Sequence, residues 1–259
     1  MADISHNIDW ELKISPRRTV KVLFGIVALL ALLSLAGQIG GRLGFNVHWV
    51  FLSFFDLDGE RNVPAWFSSG LLLICSALAG LIGMRERDRL AEGALYWLGL
   101  SPVFLFLSLD ETVSIHEMSI RPVQRSLETT GVFHFAWVIP AIILLVPFGL
   151  LYLRFVLELP AATRRLLVSA GLIYIGGAVG IEMAGGYCTS AMGIEMVGKD
   201  YITTKGGDPM VYILLYTMEE TLEMTGLSTC IYGLLSHIEN YFGVVCSCPA
   251  GRQADVARV

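Results

Sequence analysis

Long apolar segments restrict what this chain can fold into more than any other feature of its sequence. A run of roughly 18 or more apolar residues is long enough to cross a membrane as a helix. Only 16% of the residues are charged, whereas about a quarter are charged in a typical soluble domain. We therefore predict an all-α, polytopic membrane protein whose six transmembrane helices form one bundle. The six segments are approximately residues 20–36, 65–84, 94–109, 133–155, 166–184 and 210–236.

The polar sequence outside these segments is too short for a second domain. We predict an N-terminal tail over residues 1–19, a transmembrane domain over residues 20–236 and a C-terminal tail over residues 237–259. Residues 34–36, Ser-Leu-Ala, also resemble a signal-peptide cleavage site, so a cleaved first segment is the alternative. The long polar segment before it favours a retained helix.

The distribution of basic residues predicts the orientation of the chain. Cytoplasmic segments of membrane proteins carry an excess of Lys and Arg. With the N-terminus inside, only six of the 18 basic residues fall outside: Arg42, Arg61, Arg121, Arg125, Lys199 and Lys205. We therefore predict that both termini are cytoplasmic and that the protein lies in the plasma membrane, or the inner membrane of a Gram-negative bacterium. The lipid bilayer is the expected partner, together with possible membrane subunits, and the sparse basic residues argue against nucleic acid.

Three glutamates interrupt the sixth apolar segment. At 100° per residue, Glu219, Glu220 and Glu223 lie on one narrow face of a helix. An ionised carboxylate inside a bilayer costs on the order of 3 kcal/mol, and this segment contains no Lys or Arg. Protons, a bound cation or arginines from the outer loops must therefore offset the charge.

Other acidic residues are expected to lie near these glutamates. If the third helix continues past Asp110, then Asp110 and Glu117 share one face and His116 points roughly 120° away. Glu182 lies near the end of the fifth segment. Because successive spans alternate in direction, all of these residues reach the outer side of the bundle at similar depth. The alternative is that the acids beyond the third span are simply solvated.

This cluster has the composition of a metal centre. Carboxylates with an imidazole suit Zn²⁺, Mn²⁺ or iron, and carboxylates alone suit Ca²⁺ or Mg²⁺. A water on such a divalent ion could attack an ester, amide or phosphate bond of a small-molecule or lipid substrate, with a glutamate as base. The predicted metal ligands are Asp110, Glu111, His116, Glu117, Glu182, Glu220 and Glu223, and the predicted catalytic residues are Glu219, Glu220 and Glu223.

Two other classes of function remain open. Buried acids are also typical of proton or cation pathways in transporters, although the two halves of this chain share no evident inverted repeat. The cluster could instead fix the fold of a non-catalytic membrane subunit or assembly factor.

Two further patterns carry structural predictions. Small residues at Gly176, Gly180 and Ala184 predict a helix face that a neighbouring helix approaches closely. The acidic residues Asp56, Asp58 and Glu60 precede the second segment, and we predict that their loop covers the cluster.

Overall fold

A computed structural model describes residues 14–197 and 200–242. The regular secondary structure of this part of the chain is helical apart from one hairpin. The all-α fold is therefore confirmed. Of the predicted tails, residues 1–13 and 243–259 lie outside the described residues.

The helices match the predicted apolar segments, most of them with longer bounds. The helix of the fourth segment instead begins later, at Val138, and the helix of the last segment, α9, comprises Met210–Phe242. Five helical stretches are long and apolar enough to cross a membrane, namely Pro16–Arg42, Val63–Asp88, Ala94–Val113, Val138–Glu158 and the continuous stretch Ala161–Met192. The sixth predicted segment forms α9, which is not among the five because its glutamates and hydroxyl residues reduce its apolar character. In chain order the elements are α1 (Pro16–Arg42), α2 (Trp49–Phe55), α3 (Val63–Asp88), α4 (Ala94–Val113), α5 (Ile115–Leu127), a 3₁₀ turn (Gly131–Phe133), α6 (Val138–Glu158), α7 (Ala161–Ile175), a π-helix (Gly176–Ile181), α8 (Glu182–Met192), β1 (Ile194–Val197), β2 (Asp200–Thr203) and α9 (Met210–Phe242).

The α9 helix is the centre of the bundle. It packs against α1, α3, α7, the π-helix and α8. Its side chains Met224, Ile231 and Leu234 are almost completely buried. The glutamates of α9 therefore lie on a helix that is surrounded by other helices.

The π-helix changes which glycines meet α9. A methyl group added to Gly176 or Gly180 would have open space around it, so the predicted stripe is wrong in register. A methyl group on Gly177 would instead lie 2.8 Å from the backbone of α9, and one on Gly226 would lie 2.8 Å from the backbone of α7. The six-residue π-helix Gly176–Ile181 rotates the following face relative to a regular α-helix. The predicted close approach of two helices occurs, but at Gly177 and Gly226.

Residues 185–209, which separate the fifth and sixth predicted segments, contain the end of one helix and a hairpin. Helix α8 continues to Met192, and Gly193 ends it in the left-handed conformation at φ 59°. Strands β1 and β2 then pair antiparallel, with Ile194 opposite Thr203. This hairpin brings Tyr201 to the α2–α3 loop.

The α2–α3 loop, residues 56–62, is attached to α9 by tyrosine hydroxyls. Tyr216 donates a hydrogen bond to Asp56 at 3.1 Å, and Tyr212 donates one to Asp58 at 2.9 Å. Asn62 caps α3 through its side-chain oxygen and donates from Nδ2 to the carbonyl of Asp56 at 2.6 Å. These contacts fix the loop that carries Glu60.

Candidate metal centre

The junction of α4 and α5 positions His116. The two helices meet at Ser114, whose φ of 56° is in the left-handed region. The helix is interrupted at Ser114, so the condition under which Asp110 and Glu117 would share one helix face is not met. His116 instead folds back on Asp110, which accepts its backbone N–H at 2.8 Å and lies 3.0 Å from its Nδ1. These hydrogen bonds offset the left-handed conformation, which costs about 1–2 kcal/mol.

Three side chains converge beside this junction. The candidate ligand atoms of Glu60, His116 and Glu117 all lie within 4.8 Å of one another. Within residues 14–197 and 200–242, this is the group whose spacing suits a metal ion. Asp110 engages Nδ1 of His116, so Nε2 is the ring nitrogen left for a cation. A carboxylate behind a metal-bound histidine is a common arrangement that fixes the ring.

The surroundings of the triad are strongly acidic. Burial raises the pKa of Glu60, and the neighbouring Glu117 adds to this effect while a hydrogen bond with Ser114 opposes it. One carboxylate oxygen of Glu60, Oε2, is buried without a hydrogen-bond partner. Burial would lower the pKa of His116, but its hydrogen bond to Asp110 outweighs this and raises it. Both shifts favour the protonated form of the group concerned.

Asp58 lies deeper in the same loop. Burial raises its pKa to about 7, although hydrogen bonds from Tyr201 and Tyr212 lower it. Asp58 also lies close enough to Glu182 for their charges to interact. The loop therefore lies against the acidic cluster.

Five further carboxyl groups lie beside the triad. Glu182 lies next to Glu219, and Glu111 lies near both Glu220 and Glu223. Each of these side chains is partly buried, and none is fully exposed. Trp137 connects this group to the triad. Its Nε1 donates to Glu182 at 2.6 Å, and its ring centroid lies 5.0 Å from that of His116.

The predicted site residues lie in one region. Two predicted ligands, His116 and Glu117, belong to the triad, and Asp110 lies behind the histidine. The others, Glu111, Glu182, Glu220 and Glu223, lie near the triad but outside the group of three. The catalytic roles of Glu219, Glu220 and Glu223 stay predictions.

Glu60 was missed as a ligand. The sequence predicts only that its loop covers the cluster, yet Glu60 contributes one of the three candidate ligand atoms. The signal was available, because α3 begins on the outer side by the same alternation of spans that placed Asp110 and Glu182 there.

The fold and site define a helical protein that has five helices apolar and long enough to cross a membrane and a candidate metal site. The family model described as "Domain of unknown function (DUF8692)" matches residues 22–238, and the chain belongs to this family. The matched range contains the triad and the α9 glutamates. No curated protein and no solved structure matches the chain.

Proposed function

We propose that this protein is a six-span membrane protein that binds one divalent cation through Glu60, His116 and Glu117. The observation that carries the proposal is the 4.8 Å spacing of the three candidate ligand atoms. Asp110 also favours the proposal, because its Oδ2 lies 3.0 Å from Nδ1 of His116 and would fix the ring for a metal. Ligand bonds to such ions are about 2.0–2.2 Å long, so small side-chain movements would complete the site.

The sixth span in this proposal is α9. Its 33 residues extend about 50 Å, well beyond the roughly 30 Å of a bilayer core. Its glutamates face neighbouring helices and not lipid, which is where acidic residues occur inside membranes. With six spans, both termini lie on the same side, and the distribution of basic residues favours the cytoplasm.

The ligand set favours particular ions and chemistry. One imidazole and two carboxylates suit Zn²⁺, Mn²⁺ or Fe²⁺ better than Ca²⁺ or Mg²⁺. Three protein ligands leave a coordination position for water, as in hydrolytic metal sites. A neighbouring carboxylate such as Glu111 or Glu220 would accept the proton of that water. We therefore propose a membrane-embedded hydrolase.

A second candidate is a cation- or proton-coupled transporter. It is favoured by the carboxyl groups that continue from the triad along α9, because Glu111, Glu220 and Glu223 lie close together. Such a row is typical of ion pathways.

Elemental analysis of the detergent-purified full chain tests the proposal. We expect about one equivalent of a divalent transition metal, lost in Glu60→Gln/Glu117→Gln. The matched control is Glu128→Gln/Glu195→Gln, which changes two exposed glutamates predicted on the same side and should keep the metal. A metal-free wild-type protein that also fails to take up added Zn²⁺, Mn²⁺ or Fe²⁺ would contradict the proposal and favour protonated carboxyl groups in a carrier.

A variant of the α9 glutamates tests whether these residues bind the metal or act as catalytic bases. Glu220→Gln/Glu223→Gln should keep the metal and lose hydrolytic activity if these residues act as bases. Loss of the metal in this variant would instead place them among its ligands.

A further inference from the structure

The triad opens onto a pocket that also contains two arginines. The pocket has a volume of about 580 Å³. It is lined by Glu60, Arg61, Val113, Ser114, Glu117, Met118 and Arg121. Two triad residues and two guanidinium groups therefore share one solvent-accessible space.

Neither arginine is neutralised by a described neighbour. Within residues 14–197 and 200–242, Arg61 and Arg121 form no hydrogen bond or ion pair with another side chain. Glu117 and Arg121 are four residues apart on α5, so both lie on the same face of that helix. Both arginines are available to a bound molecule.

The backbone supports this arrangement. Arg61 has a φ of 60°, a conformation that non-glycine residues seldom adopt, and Ser114 has a φ of 56°. Both residues line the pocket. Asn62 caps α3 directly after Arg61, so the strained position is held by the surrounding structure.

The chemistry of the pocket matches a phosphate group. Guanidinium groups bind phosphate through paired, charge-assisted hydrogen bonds. A divalent cation beside them would bind another phosphate oxygen. Val113 and Met118 are 45% and 63% exposed and offer apolar surface within the same pocket.

We infer that this pocket binds a phosphate ester that carries an apolar group, with the phosphate held by Arg61 and Arg121. The inference deepens the proposed function and rests on it for the role of the metal. It places the ligand at the predicted outer face of the membrane, where α5 exposes both charged and apolar side chains.

Calorimetric titration of the full chain in a phosphate-free maltoside detergent tests this inference. The probes are dihexanoyl phosphatidate, dihexanoylglycerol and inorganic phosphate. We expect phosphatidate to bind most tightly and dihexanoylglycerol not to bind. Arg61→Gln/Arg121→Gln should weaken phosphatidate binding at least about tenfold, because each arginine contributes hydrogen bonds to a charged group. Arg125→Gln, an exposed arginine outside the pocket lining, is the control and should bind normally.

The outcomes separate the inference from the proposed function. Unchanged phosphatidate affinity in the double variant overturns the inference, and equal binding of inorganic phosphate overturns its apolar part. If the glutamine variant does not fold, Arg61→Lys/Arg121→Lys keeps both charges and should still bind more weakly than wild type, because lysine cannot form the paired contact. Metal retained without phosphatidate binding contradicts only the inference. Arginine-dependent binding by a metal-free protein contradicts only the proposed function.

Discussion

At the residue scale, Asp110 determines how His116 can act. It accepts the backbone N–H and lies 3.0 Å from Nδ1, so it fixes both the ring and the start of α5. Such a carboxylate also raises the basicity of the nitrogen that faces a metal. The pairing depends on the left-handed Ser114, because a regular helix would separate the two side chains.

We predict that Asp110→Ala lowers metal affinity about 10–100-fold, the usual effect of removing a carboxylate behind a metal-bound histidine. Competition with a fluorescent chelator measures this affinity. The control is Asp88→Ala, which changes an exposed aspartate at the C-terminal end of α3. This variant should bind metal like the wild type. Equal metal affinity in both variants would mean that Asp110 does not position His116 for metal binding.

A second residue-scale prediction concerns the α2–α3 loop. Tyr212→Phe removes the hydrogen bond of 2.9 Å to Asp58 and leaves a buried carboxylate with one donor fewer. We expect a loss of about 1–3 kcal/mol in stability, measured by thermal unfolding in detergent. Tyr187→Phe, which alters an exposed tyrosine, should have no effect, and an unchanged melting temperature for Tyr212→Phe would show that the loop is not held by this contact.

At the element scale, the close contact of α7 and α9 depends on Gly226. An added methyl group would lie 2.8 Å from the backbone nitrogen of Tyr174 and 2.9 Å from the carbonyl of Ala170. Backbone atoms cannot move aside as a flexible side chain can. The two helices would have to separate.

We therefore predict that Gly226→Ala destabilises the protein by about 1–3 kcal/mol, the usual cost of overpacking. Gly180→Ala meets open space and should leave the melting temperature unchanged or slightly raised, since alanine favours a helix. The reverse ranking of the two variants would refute this account of the packing.

The helices themselves were largely predictable, whereas their junctions were not. Apolar composition predicts α1, α3, α4 and α6, because each of these helices has a long stretch of almost uninterrupted apolar side chains. The break at Ser114 and the π-helix at Gly176–Ile181 have no local signal of comparable strength. Serine rarely adopts a positive φ, and a π-helix depends on the packing of the neighbouring helix.

At the scale of the whole molecule, the central claim about topology is that α9 crosses the membrane. We predict that a membrane-impermeant maleimide labels Lys205→Cys in intact cells and labels Asn240→Cys only after permeabilisation. Both positions are exposed, with Lys205 before α9 and Asn240 in its last turn, and the background is a chain whose five cysteines are replaced by alanine. Labelling of both positions from the same side would contradict a sixth span.

The location of the site was more predictable than its ligand set. Alternation of spans placed Asp110, Glu182 and Glu223 at one end of the bundle, and these acids do lie in one region. The choice of Glu60 as a ligand depends on loop contacts with Tyr212 and Tyr216, which link positions far apart in the sequence. Alternation of spans also predicts Glu60 on that side, but the loop contacts that bring it to His116 have no periodicity from which they could be inferred.

X-ray absorption spectroscopy at the edge of the bound metal tests the central claim most directly. The account predicts a first shell of oxygen and nitrogen ligands without sulfur. It also predicts an outer-shell imidazole signal that disappears in His116→Ala and persists in His48→Ala, which changes a histidine before α2. A sulfur ligand, or an imidazole signal that survives in His116→Ala, would contradict the assignment of the metal to Glu60, His116 and Glu117.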